Sequence, residues 1–334
     1  MSRASRWLLR PARIEDVPVL VDLVNSRYRR FTGEDAVTES GLAAEWENPR
    51  VTPDRDLCAL VDGEGCVRGW AGLEMPGEPY VNVTGWVSVA LESSAEPVTW
   101  GLLLEWVEER AREVTSAAEE GLRTCLTLWA VERDVERQNA YERLGYASVR
   151  AMRRMRADLA AAPKAPVWPE GLVLTSLDPE CHLRPLAAAS REAFRDHWGH
   201  VPLPVEEEEE MWRGWLRTHA EGIDPAMSTL AWAGDDVAGY SLGRWHLPLD
   251  RSRGVVASLA VRPAWRRRGL GSALLHETLG KLREKGCTSA ELMVDSGNQS
   301  GALRLYERAG FAAFRTQLAY EKELRPGRDI IARG

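Results

Sequence analysis

One short turn carries the strongest chemical signal in the chain. Residues 255–275 read VVASLAVRPAWRRRGLGSALL. A β-branched run is stopped by Pro263, and Arg266, Arg267 and Arg268 follow. Then Gly269, Leu270, Gly271 and Ser272 open a stretch with helical spacing. Glycines at such a junction let backbone N–H groups approach a ligand with no Cβ in the way. The helix N-terminus adds the positive end of its dipole, and guanidinium forks match phosphate oxygens. Together they predict a pyrophosphate site held mainly by backbone. Two other anion loops do not fit. A nucleotide-triphosphate loop needs a Gly-Lys pair, and Gly271 is followed directly by Ser272. A dinucleotide fingerprint needs a third glycine where Leu274 stands. An ordinary turn with solvated arginines is the remaining alternative.

Such a loop needs a strand to end on and a helix to begin, and the chain writes that frame twice. Residues 159–171, LAAAPKAPVWPEG, hold three prolines and read as an extended linker. They separate domains expected at 1–158 and 172–334. The first closes on NAYERLGYASVRAMRRM (139–155) and the second on LRLYERAGFAAFRTQLA (303–319). Tyr141 and Gly145 therefore recur as Tyr306 and Gly310, at an offset close to half the chain, which implies duplication. Each half opens with a short strand, 7–13 or 172–178, followed by a helical stretch. Hairpins then turn at Asp62-Gly63 and at Gly234-Asp235. A strand leading into a long helix, a further strand and a short helix complete each copy. The fold class expected is mixed α/β, with antiparallel hairpins around a central β-loop-α unit.

At Arg266-x-x-Gly269-x-Gly271-x-Ala273, followed downstream by LMVDSGNQSGALRLYERAGF, the sequence resembles the GCN5-related N-acetyltransferase (GNAT) family. The resemblance is specific over 228–323 and weaker over 172–227; in the first half it covers the architecture and YERLGY. It implies two tandem GNAT-like domains, each a mixed, mostly antiparallel sheet flanked by helices, of a type similar to mycothiol synthases. It also implies acetyl-CoA as acyl donor and a small-molecule amine as acceptor, joined by direct attack in a ternary complex. On that reading, acetyl-CoA meets the backbone of Leu259, Ala260 and Val261 and the loop Arg266, Arg267, Arg268, Gly269, Leu270, Gly271 and Ser272, with Asn298 and Tyr306. Tyr306 is the proton donor to the leaving thiolate, and a packed aromatic is its plainer role. For Asn298 a helix N-cap is the plainer role.

The first half departs from this pattern. Residues 87–101, VSVALESSAEPVTWG, have no Arg and no Gly-x-Gly. Glu92 and Glu96 stand there instead, and Arg133 takes the place of Asn298. Carboxylates beside a pyrophosphate repel it, so the first domain is expected not to bind acetyl-CoA productively and to serve structure or wall the acceptor pocket. The general base is missing from the strand position where mycothiol synthases carry a carboxylate, because Val255 occupies it. His246 and Asp250, or a water relay, are the substitutes. Arg195, His197, Trp198, Tyr240 and Arg244 are expected against the acceptor. The HxxH of His197 and His200 is read as a pocket wall, with no metal. The run Glu206–Glu210 is read as a solvated first helical turn.

Composition sets outer limits. The 334 residues carry 50 acidic and 43 basic side chains, a net charge of −7, which gives no global case for nucleic acid. No apolar run reaches the ~18–20 residues of a membrane span. The first residues, MSRASRWLLRPARIEDV, lack a secretory apolar core. Five scattered cysteines suit reduced thiols in a cytoplasm. A monomer or homodimer is expected. The leading reading is an N-acetyltransferase acting on a small primary amine. The alternatives are acetylation of a cysteinyl amino-sugar in the manner of mycothiol synthase, and a non-catalytic acyl-CoA-binding or sensing protein.

Overall fold

The computed structural model describes residues 7–48, 50–93, 97–218, 224–245, 249–297 and 301–334. They divide into unit 1 (Met1–Ala151 with Gln317–Ile330) and unit 2 (Met152–Thr316 with Ile331–Gly334). In unit 1 the chain runs β1 (Trp7–Pro11), α1 (Val17–Thr32), α2 (Glu39–Glu47), α3 (Pro53–Asp56), β2 (Leu57–Asp62), β3 (Val67–Glu74), β4 (Asn82–Val89), α4 (Pro97–Thr115), β5 (Thr124–Val131) and α5 (Val135–Arg143). β1 to β4 pair antiparallel in sequence order, and β4 lies parallel to β5 over Asn82–Gly85. Alternation along the strands feeds two cores. Ala71 and Leu73 of β3 join Leu103 and Leu104 of α4 in one. Trp70 of the same strand joins Leu20 of α1 and Leu42 of α2 in the other.

Two strands, β6 (Ala147–Asp158) and β12 (Ala312–Arg325), are divided between the units. The rest of unit 2 is β7 (Val173–Thr175), α6 (Leu183–Phe194), α7 (Val205–Thr218), β8 (Ser228–Ala233), β9 (Asp236–Arg244), β10 (Arg253–Val261), α8 (Leu270–Glu284), β11 (Ser289–Asp295) and α9 (Ala302–Arg308). β7, β8, β9 and β10 pair antiparallel in turn, β10 joins β11 in parallel, and β11 pairs antiparallel with Met152–Asp158 of β6. Helix α6 buries Leu183, Leu186, Ala187, Ser190 and Ala193, the stripe that helical periodicity requires. Helix α8 covers the opposite face with Leu274, Leu275, Leu279 and Leu282.

The domain ends differ from the expected 1–158 and 172–334. Met152–Asp158 pairs in unit 2, and Gln317–Arg325 of β12 pairs with β5 in unit 1. A strand's pattern fixes which face is buried but not which neighbour it pairs with. The glutamate run also departs from a wholly solvated turn. Glu208 is 4% exposed, and burial pushes its carboxyl up to about 7, against a lowering contribution from Arg191 and a hydrogen bond to Ser190. One turn of α7 therefore presents one of its glutamates inward. Among the described residues no helix is long and apolar enough to cross a membrane.

Candidate active site

The parallel pair at the centre of unit 2 separates, and the separation makes the site. β10 and β11 pair only from Arg253↔Ser289 to Val255↔Glu291. Beyond that point β10 stays with β9 as far as Val261↔Gly239, and β11 stays with β6 as far as Asp295↔Met152. A register shift between Val256 and Ser258 marks a bulge at Ala257, the device that bends and re-aims a strand. Beyond the bulge, the Arg262 N–H donates to Ala238 O at 2.9 Å. A Cβ placed on Gly239 would meet Ala260 O at 2.8 Å, so that carbonyl also faces β9. Antiparallel alternation then turns the peptide groups of Leu259 and Val261 toward the wedge. There the backbone can pair with an extended ligand as a missing strand would.

A cleft of about 590 Å³ occupies this wedge. Of the residues expected at a cofactor, it is lined by Leu259, Ala260, Val261, Arg266, Arg267, Gly269, Gly271, Ser272 and Tyr306. The loop has Arg267 at φ 60° and Gly269 at φ 88°. Gly269 is the α8 N-cap, where a side chain would be strained. Gly271 has a different reason to be small. An added Cβ would meet Leu305 at 3.5 Å and Val261 at 3.6 Å, ordinary contacts, so the protein's own packing does not demand glycine there.

The three arginines have separate positions. Arg266 donates from Nε to Val261 O at 3.1 Å and from Nη2 to Ala193 O at 2.8 Å, pinning the loop to the strand end and to α6. Arg268 lies over the Trp265 ring at 4.9 Å and does not line the cleft. Arg267 is exposed and lines the cleft, with no hydrogen bond or ion pair among the described residues. Leu270 does not line it either; it is a core residue, 1% exposed.

Tyr306 projects from α9, packs edge-on to Phe311 at 6.0 Å and is 8% exposed. Burial pushes its phenol up to about 12, and no described residue hydrogen-bonds its hydroxyl. Its repeat counterpart Tyr141 is fully buried in unit 1 and donates to Trp129 O at 3.4 Å. On the acceptor side, His197 and Trp198 line the cleft with Phe194. His197 packs on Phe194 at 4.8 Å. Burial draws its pKa below the usual value, Arg266 adds to the effect, and Asp295 opposes it.

The other acceptor candidates stand away from the cleft. Arg195 is a solvent-facing side chain 3.6 Å from Asp196. Tyr240 is fully buried under Ser258, 3.4 Å from its hydroxyl. Arg244 ends β9, and burial lowers its pKa. Asp250 is held by Ser252 at 2.6 Å and by Arg253 at 2.7 Å; these contacts, the Ser252 hydrogen bond foremost, lower its pKa and weaken it as a base. His246 and Asn298 lie outside the described residues. Beside Val255, Glu291 is 2% exposed, but Arg154, Arg156 and Arg253 occupy its oxygens. Sequence reasoning missed Asp295, Ser258, Met152 and Arg308, which also line the cleft. Asp295 ends β11, four residues beyond the last pair with β10, a place that the repeat frame alone could have marked.

A parallel pair that splays beside a bulge, with a glycine-opened helix next to it, defines a protein built to hold an acyl-CoA against an acceptor. Comparison with known families agrees, since residues 186–311 match the acetyltransferase (GNAT) family. The chain belongs to that family and is an acetyl-CoA-dependent acetyltransferase with two GNAT-like units. It is 31% identical to the mycothiol acetyltransferase of Streptomyces scabiei over 88% of this chain and 100% of that one. It is 28% identical to the mycothiol acetyltransferase of Rhodococcus erythropolis over 93% and 96%. A solved GCN5-related N-acetyltransferase from Sphaerobacter thermophilus superposes with a TM-score of 0.80 at 25% identity, covering 97% of this chain and 98% of that one. A tandem GNAT protein from the clavulanic acid biosynthesis pathway shares the fold, with a TM-score of 0.72 at 17% identity over 96% and 100%.

Proposed function

We propose that unit 2 transfers the acetyl group of acetyl-CoA to the primary amine of a cysteinyl amino-sugar, as the names of its full-length relatives suggest. The cleft beside β10 carries the proposal, because it brings a strand edge with no neighbouring strand, a glycine-opened helix and a phenol without a partner among the described residues to one wedge. Leu259 and Val261 pair with the extended arm of the donor, and a cleft-facing N–H of this edge stabilises the charge that develops on the carbonyl oxygen. Arg267, Gly269, Gly271 and Ser272 receive the pyrophosphate at the start of α8. Arg266 acts by holding that loop in place.

His197 is the base in this reading. Its lowered pKa keeps the imidazole neutral near pH 7, able to take a proton from the acceptor ammonium so that the neutral amine attacks the thioester carbon. Asp295 opposes that lowering, so it stabilises the imidazolium once formed. Tyr306 donates a hydrogen bond to the leaving sulfur. With a phenol near 12 and a thiol near ~8.5, complete proton transfer is uphill by about 5 kcal/mol. The tyrosine therefore steadies the thiolate as it forms and does not have to lose its proton.

The test is release of CoA and appearance of acetylated product, followed by mass spectrometry. The panel is a cysteinyl amino-sugar, an aminoglycoside, a polyamine and an amino-acid amide. The highest kcat/KM is expected for the cysteinyl amino-sugar. A higher value for another amine removes this acceptor, and no turnover with any amine removes amine acetylation.

A further inference from the structure

Unit 1 lacks the phosphate loop but retains a cavity of about 280 Å³ between α1, α2 and its sheet. Its walls are aromatic. Trp70 and Trp86 lie 5.6 Å apart at 51°, Trp46 stacks behind Trp70 at 6.4 Å, and Tyr28 lines the α1 side. The chain has cleared this space. A Cβ on Gly72 would stand 2.5 Å from the Trp86 ring, so that indole lies over the strand only because residue 72 has no side chain. The Nε1–H groups of Trp70 and Trp86 are buried and have no acceptor.

The charges that face the cavity are nearly all matched. Arg27, 1% exposed, donates to Asp134 at 2.8 and 2.5 Å and stands 3.5 Å from Glu136. Arg137 stands 3.3 Å from Asp134 and donates to the Ser88 hydroxyl at 3.3 Å. Both lining cations are thus held by Asp134, and Arg27 also reaches Glu136, which is half-exposed and outside the cavity. Glu45 of α2 is the lining charge that neither arginine engages. It lines the cavity with no ion pair or hydrogen bond among the described residues. Burial raises its pKa, and the nearby Glu74 raises it further. A part-buried, unpaired carboxylate on the wall of an aromatic-lined cavity is an arrangement that can receive an organic cation, through charge and through the ring quadrupole.

We infer that this cavity of unit 1 binds a small organic ammonium ion, seated against the Trp70 and Trp86 rings with its charge on Glu45. The site has no acetyl-donor loop beside it, so it binds without reacting. It is independent of the acceptor proposed for unit 2.

Choline is a suitable probe, since its quaternary nitrogen cannot be acetylated and its hydroxyl can accept from an indole N–H. Calorimetry on the full chain without acetyl-CoA is expected to give one site. Glu45→Gln breaks no hydrogen bond or ion pair among the described residues. It is expected to weaken binding at least ten-fold without lowering the melting temperature and with acetyl transfer by unit 2 unchanged. Trp86→Leu weakens binding as well. The uncharged isostere dimethylbutanol binds at least ten-fold more weakly than choline, acetate does not bind, and His197→Ala leaves choline binding intact. Absence of choline binding at millimolar concentration overturns the inference. So does equal binding by Glu45→Gln or by dimethylbutanol, or binding of acetate through the arginines. Loss of binding in His197→Ala assigns the heat to unit 2 and also overturns it.

Discussion

Replacing Tyr306 with Phe removes one oxygen from the cleft and should separate chemistry from packing. The ring is 8% exposed and keeps its edge-on contact with Phe311, so the variant conserves the core volume. Because no described residue pairs with the hydroxyl, its removal breaks no protein hydrogen bond, and the melting temperature should hold. The loss falls on the transition state. A hydrogen bond to a charged acceptor is worth about 1.5–3 kcal/mol, which predicts a fall in kcat of roughly 10- to 150-fold with KM for acetyl-CoA little changed. Tyr141→Phe is the control from the repeat. That phenol also sits near 12 through burial, but it is fully enclosed and donates to Trp129 O. Its loss should cost about 1 kcal/mol of stability and nothing in kcat. Steady-state and single-turnover acetyl transfer, with thermal melts of both variants, decide the matter. An unchanged single-turnover rate in Tyr306→Phe would refute the assignment, and an equal fall in both variants would reduce it to packing.

Three further outcomes follow from the geometry. The acid limb of kcat/KM should lie below the usual histidine value of 6.5, in the direction that burial shifts His197, and His197→Ala should abolish that limb; its persistence would place the base elsewhere. Arg266→Ala should destabilise the chain by about 2 kcal/mol or more and raise KM for acetyl-CoA, because two carbonyl ties of the loop disappear, while exposed Arg268→Ala leaves stability unchanged. Glu208 titrates near 7 when folded against an ordinary 4.5, so its protonated form favours folding: its contribution is complete below pH 4.5 and fades as pH rises through 7. Glu208→Gln should therefore raise stability at pH 8 and leave it unchanged at pH 4; an equal effect on the melting temperature at both values would contradict the buried carboxyl.

The site was legible in uneven measure. Gly269 announced itself, since a left-handed N-cap before a helix is a local requirement that local residues satisfy. The repeat of Tyr141 as Tyr306 was equally plain, yet whether each phenol is partnered depends on how its helix packs on the preceding strand. Three adjacent arginines read alike and have three separate positions, because a side chain's partners come from elements it meets only after folding. Arg266 finds Ala193 of α6, Arg268 finds its own Trp265, and Arg267 is left to the cleft. Tyr240 looked like a pocket wall, but strand alternation places it under Ser258.

By itself the sequence determined the two-fold repeat, the order of strands and helices, and the glycine loop that opens α8. These depend on periodicity and on glycine, which act within a few residues. Tertiary structure decided which strands pair, and so the exchange of Met152–Asp158 and Gln317–Arg325 between units. It also opened the wedge beyond Val255 and Glu291, brought His197 and Asp295 to one cleft, and left Glu45 without a cation among the described residues. Pairing, burial and charge balance depend on what arrives from elsewhere in the chain, and no local pattern of residues records that.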